Sequence, residues 1–218
     1  MDLFTRSWSA LRAAVAALDD DDFARPSGCA GWLVRDLVCH LIIDAQDVLI
    51  TLVSPATGAP NRTASTYWEI ADSPPSGADP LDALTVRLAA AYQDPALLKF
   101  HIDDVGSAAG RAAGLADHTA RVTTRGVVLT VADYLGAYVL EWTLHHLDLT
   151  DQLPHVAQPP QEALRASRVL VEEIAGARFP ASFTDRDVLL VGTGRRTPTA
   201  EQARQLGELG DRLPFVLG

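Results

Sequence analysis

The sequence is short of cysteine, of clustered positive charge and of uninterrupted hydrophobic runs. Cys29 and Cys39 are its only cysteines in 218 residues. Two are no disulfide framework for a chain of this length, which predicts a reducing, cytoplasmic setting. No Lys/Arg cluster stands out, and the formal net charge is -10. Nucleic acids and anionic membrane surfaces both require a basic footprint, so neither is expected as a partner. The longest apolar run, residues 37–53, is broken by His40, Asp44 and Asp47 and excludes a membrane span. The opening Met-Asp-Leu-Phe-Thr-Arg has none of the apolar stretch of a secretion signal. No internal repeat is visible. What is present, 48% hydrophobic and 21% charged residues, is the composition of a globular protein with a core of normal size. The length suits one large domain or a domain with a small appendage.

Helical periodicity dominates. Leu3, Trp8, Leu11, Val15 and Leu18 predict a first helix over residues 4–18. The acidic run 19–22 behind it reads as a solvated turn, since a helix C-terminus disfavours negative charge. A second helix is predicted over residues 32–52, with His40 and Asp44 one turn apart in its middle. Residues 54–79 read as a long loop carrying Tyr67-Trp68, the kind of loop that borders a site. Asp79-Pro80 has the form of a helix N-cap, opening a third helix to about Leu98. Residues 101–120 are weakly patterned. Two short extended pieces flank Arg125-Gly126. A fourth helix is capped by Thr130 and Asp133 and ends near Asp151. Pro154, Pro159 and Pro160 mark a linker to an amphipathic helix over 161–177. In the tail, Gly192-Thr193-Gly194-Arg195 reads as a turn, and Thr199 to Gln202 as the cap of a last short helix. The expected fold is all-α: a four-helix bundle over residues 1–153 and a small, mostly helical extension over 154–218.

The fourth helix holds the most informative stretch, Glu141-Trp-Thr-Leu-His145-His146-Leu-Asp148-Leu. Residues three and four apart share a helix face, so Tyr134, Tyr138, Glu141, His145 and Asp148 form one polar stripe. Apolar residues frame it. A carboxylate and an imidazole at i, i+4 can bind a divalent metal, yet a single such pair is more often a solvated helix face. A third ligand decides between the two readings. His40, taken alone, is more often a hydrogen-bonded core histidine. In a four-helix bundle, however, side chains of facing helices meet in the interior, and His40 sits on such a helix. Asp44 could orient an imidazole or make its own contact, and Asp148 and Tyr138 are further supporting candidates. His146 points away from His145 and is given no ligand role. Cys29 and Cys39 read as small core fillers.

Two motifs, Gly31-Trp32-x-Val34-Arg35-Asp36-Leu37-Val38-x-His40-Leu41 and Glu141-x3-His145-His146-x-Asp148-Leu149, occur about a hundred residues apart. In that order they resemble the DinB-like, YfiT-like metalloenzymes. More closely, the chain is similar to the actinobacterial mycothiol-dependent maleylpyruvate isomerase N-terminal family over roughly residues 1–153. Thr193-Gly194-Arg195 also looks like the C-terminal end of small stand-alone members. The resemblance implies a DinB-like bundle in which His40, Glu141 and His145 bind a divalent metal, usually zinc, with water completing the site. Nickel or another divalent ion is the alternative. It also implies mycothiol as cosubstrate. Leu33 stands where the family usually places a hydroxyl residue to cap the second helix.

The residues themselves fit such chemistry. Three N/O ligands leave one coordination position open, and a thiol entering it loses its proton. Neither cysteine is an obvious nucleophile, so the thiol has to be supplied. Tyr134, Tyr138 and the loop around Trp68 are expected to line the approach. The function expected is therefore a metal- and thiol-dependent transferase or isomerase acting on a small electrophile, as a monomer or homodimer. Two alternatives remain open: a non-catalytic metal-binding or regulatory bundle, and a metal-dependent hydrolase.

Overall fold

A computed structural model describes residues 2–71 and 80–217. The cap expected at Asp79 and the end of the long loop, residues 72–79, lie outside the described residues. The first helix, α1 (Leu3–Ala16), is capped by Asp2, whose carboxylate accepts from Thr5 N. A 3₁₀ turn, Asp20–Ala24, follows. Its Asp22 is buried rather than solvated, because it accepts from Asp19 N at 2.9 Å and lies 3.2 Å from His155 Nε2. The second helix, α2 (Val34–Leu52), has no hydroxyl at its cap. Asp36 substitutes by accepting from Leu33 N at 2.8 Å.

The expected third helix divides in two. α3 (Pro80–Ala91) ends early, and α4 (Pro95–Leu115) begins after a break of three residues. Asp94 accepts from Ala96 N at 2.9 Å, and Pro95, with no N–H to leave unsatisfied, opens the new helix. Residues 101–115 are thus helix, not irregular chain. Their buried face is Ile102, Gly106, Ala109 and Ala113, small residues that give little hydrophobic periodicity. A short hairpin, Arg121–Thr124 and Val127–Thr130, turns through Arg125-Gly126. α5 (Val131–Thr150) then starts at Thr130, whose hydroxyl accepts from Asp133 N at 3.0 Å.

The bundle consists of α1, α2, α4 and α5, with α3 lying outside on α2. α1 touches α4 and α5, and α2 touches the same two from the opposite side. α6 (Gln161–Ala175) packs on α5, and α7 (Asp185–Gly192) packs on α6. α5 is therefore surrounded, which explains why nearly all its residues are buried. α8 (Ala200–Leu206) gives way to a 3₁₀ turn, Gly207–Arg212. The chain closes with Val216–Leu217 paired antiparallel to the short strand Ile70–Ala71. Among the described residues, no helix is long and apolar enough to cross a membrane.

One contact fixes how closely α1 and α4 approach. Trp8 is completely buried, stacks on Trp142 at 3.8 Å between ring centroids, and donates from Nε1 to Gly106 O at 2.7 Å. A Cβ on Gly106 would fall 2.6 Å from Trp8 Cζ2. Gly106→Ala is expected to destabilise the protein by about 1–3 kcal/mol through overpacking. Gly114→Ala, in the same helix with nothing within 4 Å of the new methyl, should stabilise it by about 0.5–1 kcal/mol. Denaturant midpoints of the two variants check the pair, and equal shifts would contradict the packing described.

Candidate metal centre

The polar stripe of α5 faces α2. Across that interface, His40 Nε2 lies 3.1 Å from His145 Nε2 and 3.7 Å from Glu141 Oε1. Glu141 Oε1 is 3.0 Å from His145 Nε2. Asp44 Oδ2, one turn beyond His40, lies 3.5 Å from His40 Nε2. One donor atom from each of His40, Asp44, Glu141 and His145 sits within 4.8 Å of the others. His40, Glu141 and His145, the three candidates of the sequence, are therefore brought together, with Asp44 as a fourth. His40 has the most open side chain at 24% exposure, so the cluster faces outward on its side, next to the Trp32 ring at 5.2 Å.

The charges around the cluster are strongly coupled. Burial works to raise the pKa of Glu141, but His145 and His40 outweigh it and hold the carboxylate far below its usual range. Burial works to lower the pKa of His145, and Glu141, Asp148 and Cys29 reverse this, holding it well above the usual imidazole value. Asp44 behaves differently. Burial raises its pKa to about 6, with His40 pulling the other way. Its Oδ2 is buried and has no hydrogen-bond partner. The site thus calls for positive charge at its centre.

A divalent cation fits that requirement. Two imidazole Nε2 atoms 3.1 Å apart set lone pair against lone pair unless a proton or cation lies between them. Ligands of a tetrahedral ion with bonds of about 2.1 Å are spaced by about 3.4 Å, within the observed 3.0–3.7 Å range. The far side of the His145 ring is arranged as metal-binding histidines usually are, with Nδ1 3.1 Å from Asp148 Oδ2. A proton on Nδ1 donated to Asp148 leaves Nε2 free toward the cluster.

Asp148 is itself gripped by Arg195. Arg195 Nε donates to Oδ1 at 2.8 Å and Nη2 to Oδ2 at 2.9 Å, a two-pronged pair in which the carboxylate is buried. Burial raises the Asp148 pKa, and Arg195 and His145 more than offset it, so Asp148 stays ionised. Cys29 adds a third contact, with its thiol 3.3 Å from Asp148 Oδ2 and 3.7 Å from His145 Nδ1. Burial and the Asp148 charge push that thiol above its ordinary pKa, so it stays neutral. The loop carrying it is tied down by Gly28 N, which donates to Asp148 O at 2.8 Å.

Sequence reasoning missed Arg195 and placed Cys29 as a filler. The one signal for Arg195 was the Thr193-Gly194-Arg195 turn, which leaves α7 and turns the guanidinium back onto α5. Asp148, a supporting candidate of the sequence, lies against the His145 ring with Oδ2 3.1 Å from Nδ1. His146 donates from Nε2 to Ala157 O at 2.8 Å, and burial lowers its pKa to about 4; it stays outside the cluster. Tyr134 and Tyr138 are fully buried and do not line an open approach. Tyr67 and Trp68 from the long loop cover them, with Trp68 Nε1 donating to Ala137 O at 3.2 Å. This aromatic pair packs on α5 beside the cluster, with the Trp68 ring 5.7 Å from that of Tyr138.

No curated protein and no solved structure matches the chain. The family described as mycothiol maleylpyruvate isomerase N-terminal domain matches residues 4–150. That span holds all four bundle helices and all four clustered residues, and the chain belongs to that family, within the DinB-like superfamily.

Proposed function

We propose that this protein is a metal-dependent enzyme that uses a mycothiol-type thiol to transfer to, or isomerise, a small electrophile. His40, Glu141 and His145 would hold the ion, with Asp44 beside them. The carrying observation is the convergence of His40 Nε2, Glu141 Oε1 and His145 Nε2 at 3.0–3.7 Å. Two nitrogens and a carboxylate oxygen suit zinc best; nickel or another divalent ion accepts the same donors. When bound, such an ion lowers the pKa of a thiol entering its open position.

The chain's own residues do the rest. Asp148 keeps the His145 ring turned, and Arg195 keeps Asp148 ionised and in place. Asp44 Oδ2, buried and 3.5 Å from His40 Nε2, would be placed to take the thiol proton. Cys29 is a neutral thiol pressed against Asp148, so the reacting sulfur comes from the cosubstrate. On this reading, residues 1–153 form the metalloenzyme bundle. Residues 154–218 form an extension that completes the metal centre from behind. A second reading, hydrolysis, is favoured by Asp44 alone, because the same carboxylate could take a proton from water. Turnover that persists without any thiol would select it.

His145→Ala is expected to lower bound metal from one equivalent toward none and to abolish thiol-dependent turnover with it. Elemental analysis and assays with and without mycothiol check both. A variant that has lost the metal and keeps full activity would show that the chemistry lies elsewhere. Arg195→Met removes the grip on a buried carboxylate. We expect it to weaken metal binding by about 10–100-fold and to cost about 3–5 kcal/mol of stability. Arg195→Lys should recover only part of either, because an ammonium cannot make the two-pronged contact. Competition with a chelator and denaturant titration give the two numbers, and unchanged metal affinity in Arg195→Met would remove the extension from the site.

A further inference from the structure

A second group of ligand-type atoms lies on the far side of the His145 ring. Cys29 Sγ, Asp148 Oδ2 and His145 Nδ1 all sit within 4.8 Å of one another. The separations are 3.3 Å from sulfur to Oδ2, 3.7 Å from sulfur to Nδ1 and 3.1 Å from Nδ1 to Oδ2. Zinc-type bonds of about 2.3 Å to sulfur and about 2.1 Å to nitrogen and oxygen, set tetrahedrally, space their ligands by about 3.4–3.6 Å. Asp148 and His145 are buried, and Cys29 is partly open. The loop is built to hold the sulfur in place. Gly28 N donates to Asp148 O at 2.8 Å, and a Cβ on Gly28 would fall 2.8 Å from Asp148 Cα, so the chain comes this close to α5 only at a glycine. Cys29 N donates in turn to Ser27 Oγ at 3.2 Å. The positive charge in this group is supplied by Arg195. Its Nε and Nη2 take both Asp148 oxygens at 2.8 and 2.9 Å, and its Nη1 donates to Thr193 Oγ1 at 3.1 Å. A guanidinium offers only donors, so it answers the carboxylate and leaves sulfur and Nδ1 uncoordinated.

We propose that Cys29 Sγ, Asp148 Oδ2 and His145 Nδ1 form a second cation seat, joined to the first through the His145 ring, and that the Arg195 guanidinium is its resident cation. Arg195 thereby limits the protein to one metal ion, held by nitrogen and oxygen. An ion approaching the second seat has to compete for the same Oδ2 and meets a fixed positive charge at contact distance. With the guanidinium gone, a divalent ion of the zinc type takes its place on Asp148. The S–H bond of Cys29 and the N–H bond at His145 Nδ1 then break, sulfur and nitrogen bond to the ion, and both protons leave to water. The inference goes beyond the metal-enzyme reading and does not need the first site to be filled.

Cobalt(II) is the probe, because a thiolate ligand gives it an intense near-ultraviolet charge-transfer band that nitrogen and oxygen ligands do not. Wild type, Arg195→Gln, Arg195→Lys and the double variant Arg195→Gln with Cys29→Ser are titrated with it, and bound metal is counted after desalting. Wild type is expected to bind one equivalent without the band. Arg195→Gln should bind a second equivalent and show the band, and adding Cys29→Ser should abolish the band. Arg195→Lys keeps the positive charge and should behave as wild type. The band reports the second seat alone, so weaker binding at the first does not mask it. The proposal is overturned if Arg195→Gln shows no band, if the band survives Cys29→Ser, or if wild type or Arg195→Lys shows it. Should metal-free Arg195→Gln fail to fold, it is refolded with two equivalents of cobalt(II). Recovery of the wild-type circular dichroism together with the band is then expected, and failure to recover overturns the proposal, because an ion on Asp148 replaces the missing charge. Failure of the metal-enzyme reading shows separately, as wild type that takes up no cobalt while Arg195→Gln still shows the band.

Discussion

The carboxylates of Glu141 and Asp148 carry negative charge into a helix whose other faces are packed with leucine and aromatic rings. Charge in such surroundings must be answered at short range, because an isolated buried ion is too costly to keep. Each carboxylate is answered from a different part of the chain. Glu141 meets His145 and His40, and Asp148 meets His145 and Arg195. His145 stands between the two and touches both with opposite ends of its ring. The positions of α2 and of the C-terminal turn follow from that one imidazole. Displacing either would leave a buried carboxylate without one of its two partners.

The polar stripe on α5 was legible because a helix repeats in sequence what it groups in space. Tyr138, Glu141, His145 and Asp148 share a face whatever surrounds them. His40 was legible only through its motif, since nothing local separates it from a core histidine. Arg195 was not legible as a member of the site. Its partner is 47 residues away, and the contact depends on how a turn after α7 folds back. The contacts of Cys29 beyond the core packing were hidden for the same reason, its neighbours being 116 and 119 residues distant. The fold shows a parallel gap. Two of the bundle helices announce themselves with large apolar residues at regular spacing, whereas the buried face of α4 is mostly glycine and alanine. Asp94-Pro95 carries the same helix-start chemistry that was read at Asp79-Pro80, and it is what divides the predicted third helix in two.

Stability and chemistry draw on the same residues in different ways. Around Trp8, Gly106 and Trp142 the packing leaves no slack; Trp8 Nε1 is paired with Gly106 O, while Trp142 Nε1 is buried without a hydrogen-bond partner. Between α2 and α5, polar groups are packed on one another instead, with ligand-type atoms of His40, Asp44, Glu141 and His145 within 4.8 Å. A concentration of polar groups inside an otherwise apolar fold is where function is expected. The long loop sits on this boundary, with Trp68 anchored to Ala137 O and Tyr67 packed on the Tyr134 and Tyr138 rings.

The grip of Arg195 on Asp148 bears on the order in which the site comes into being. During synthesis the whole four-helix bundle has been made before Arg195 is added to the chain. Until then the Asp148 carboxylate has no guanidinium, and the His145 ring lacks its full alignment. The bundle can collapse early around its apolar faces, but the Asp148 carboxylate is answered by a guanidinium only once α7 and the turn behind it have docked. The 47 residues between Asp148 and Arg195 thus tie the pairing of a buried charge in the bundle to the docking of a later segment.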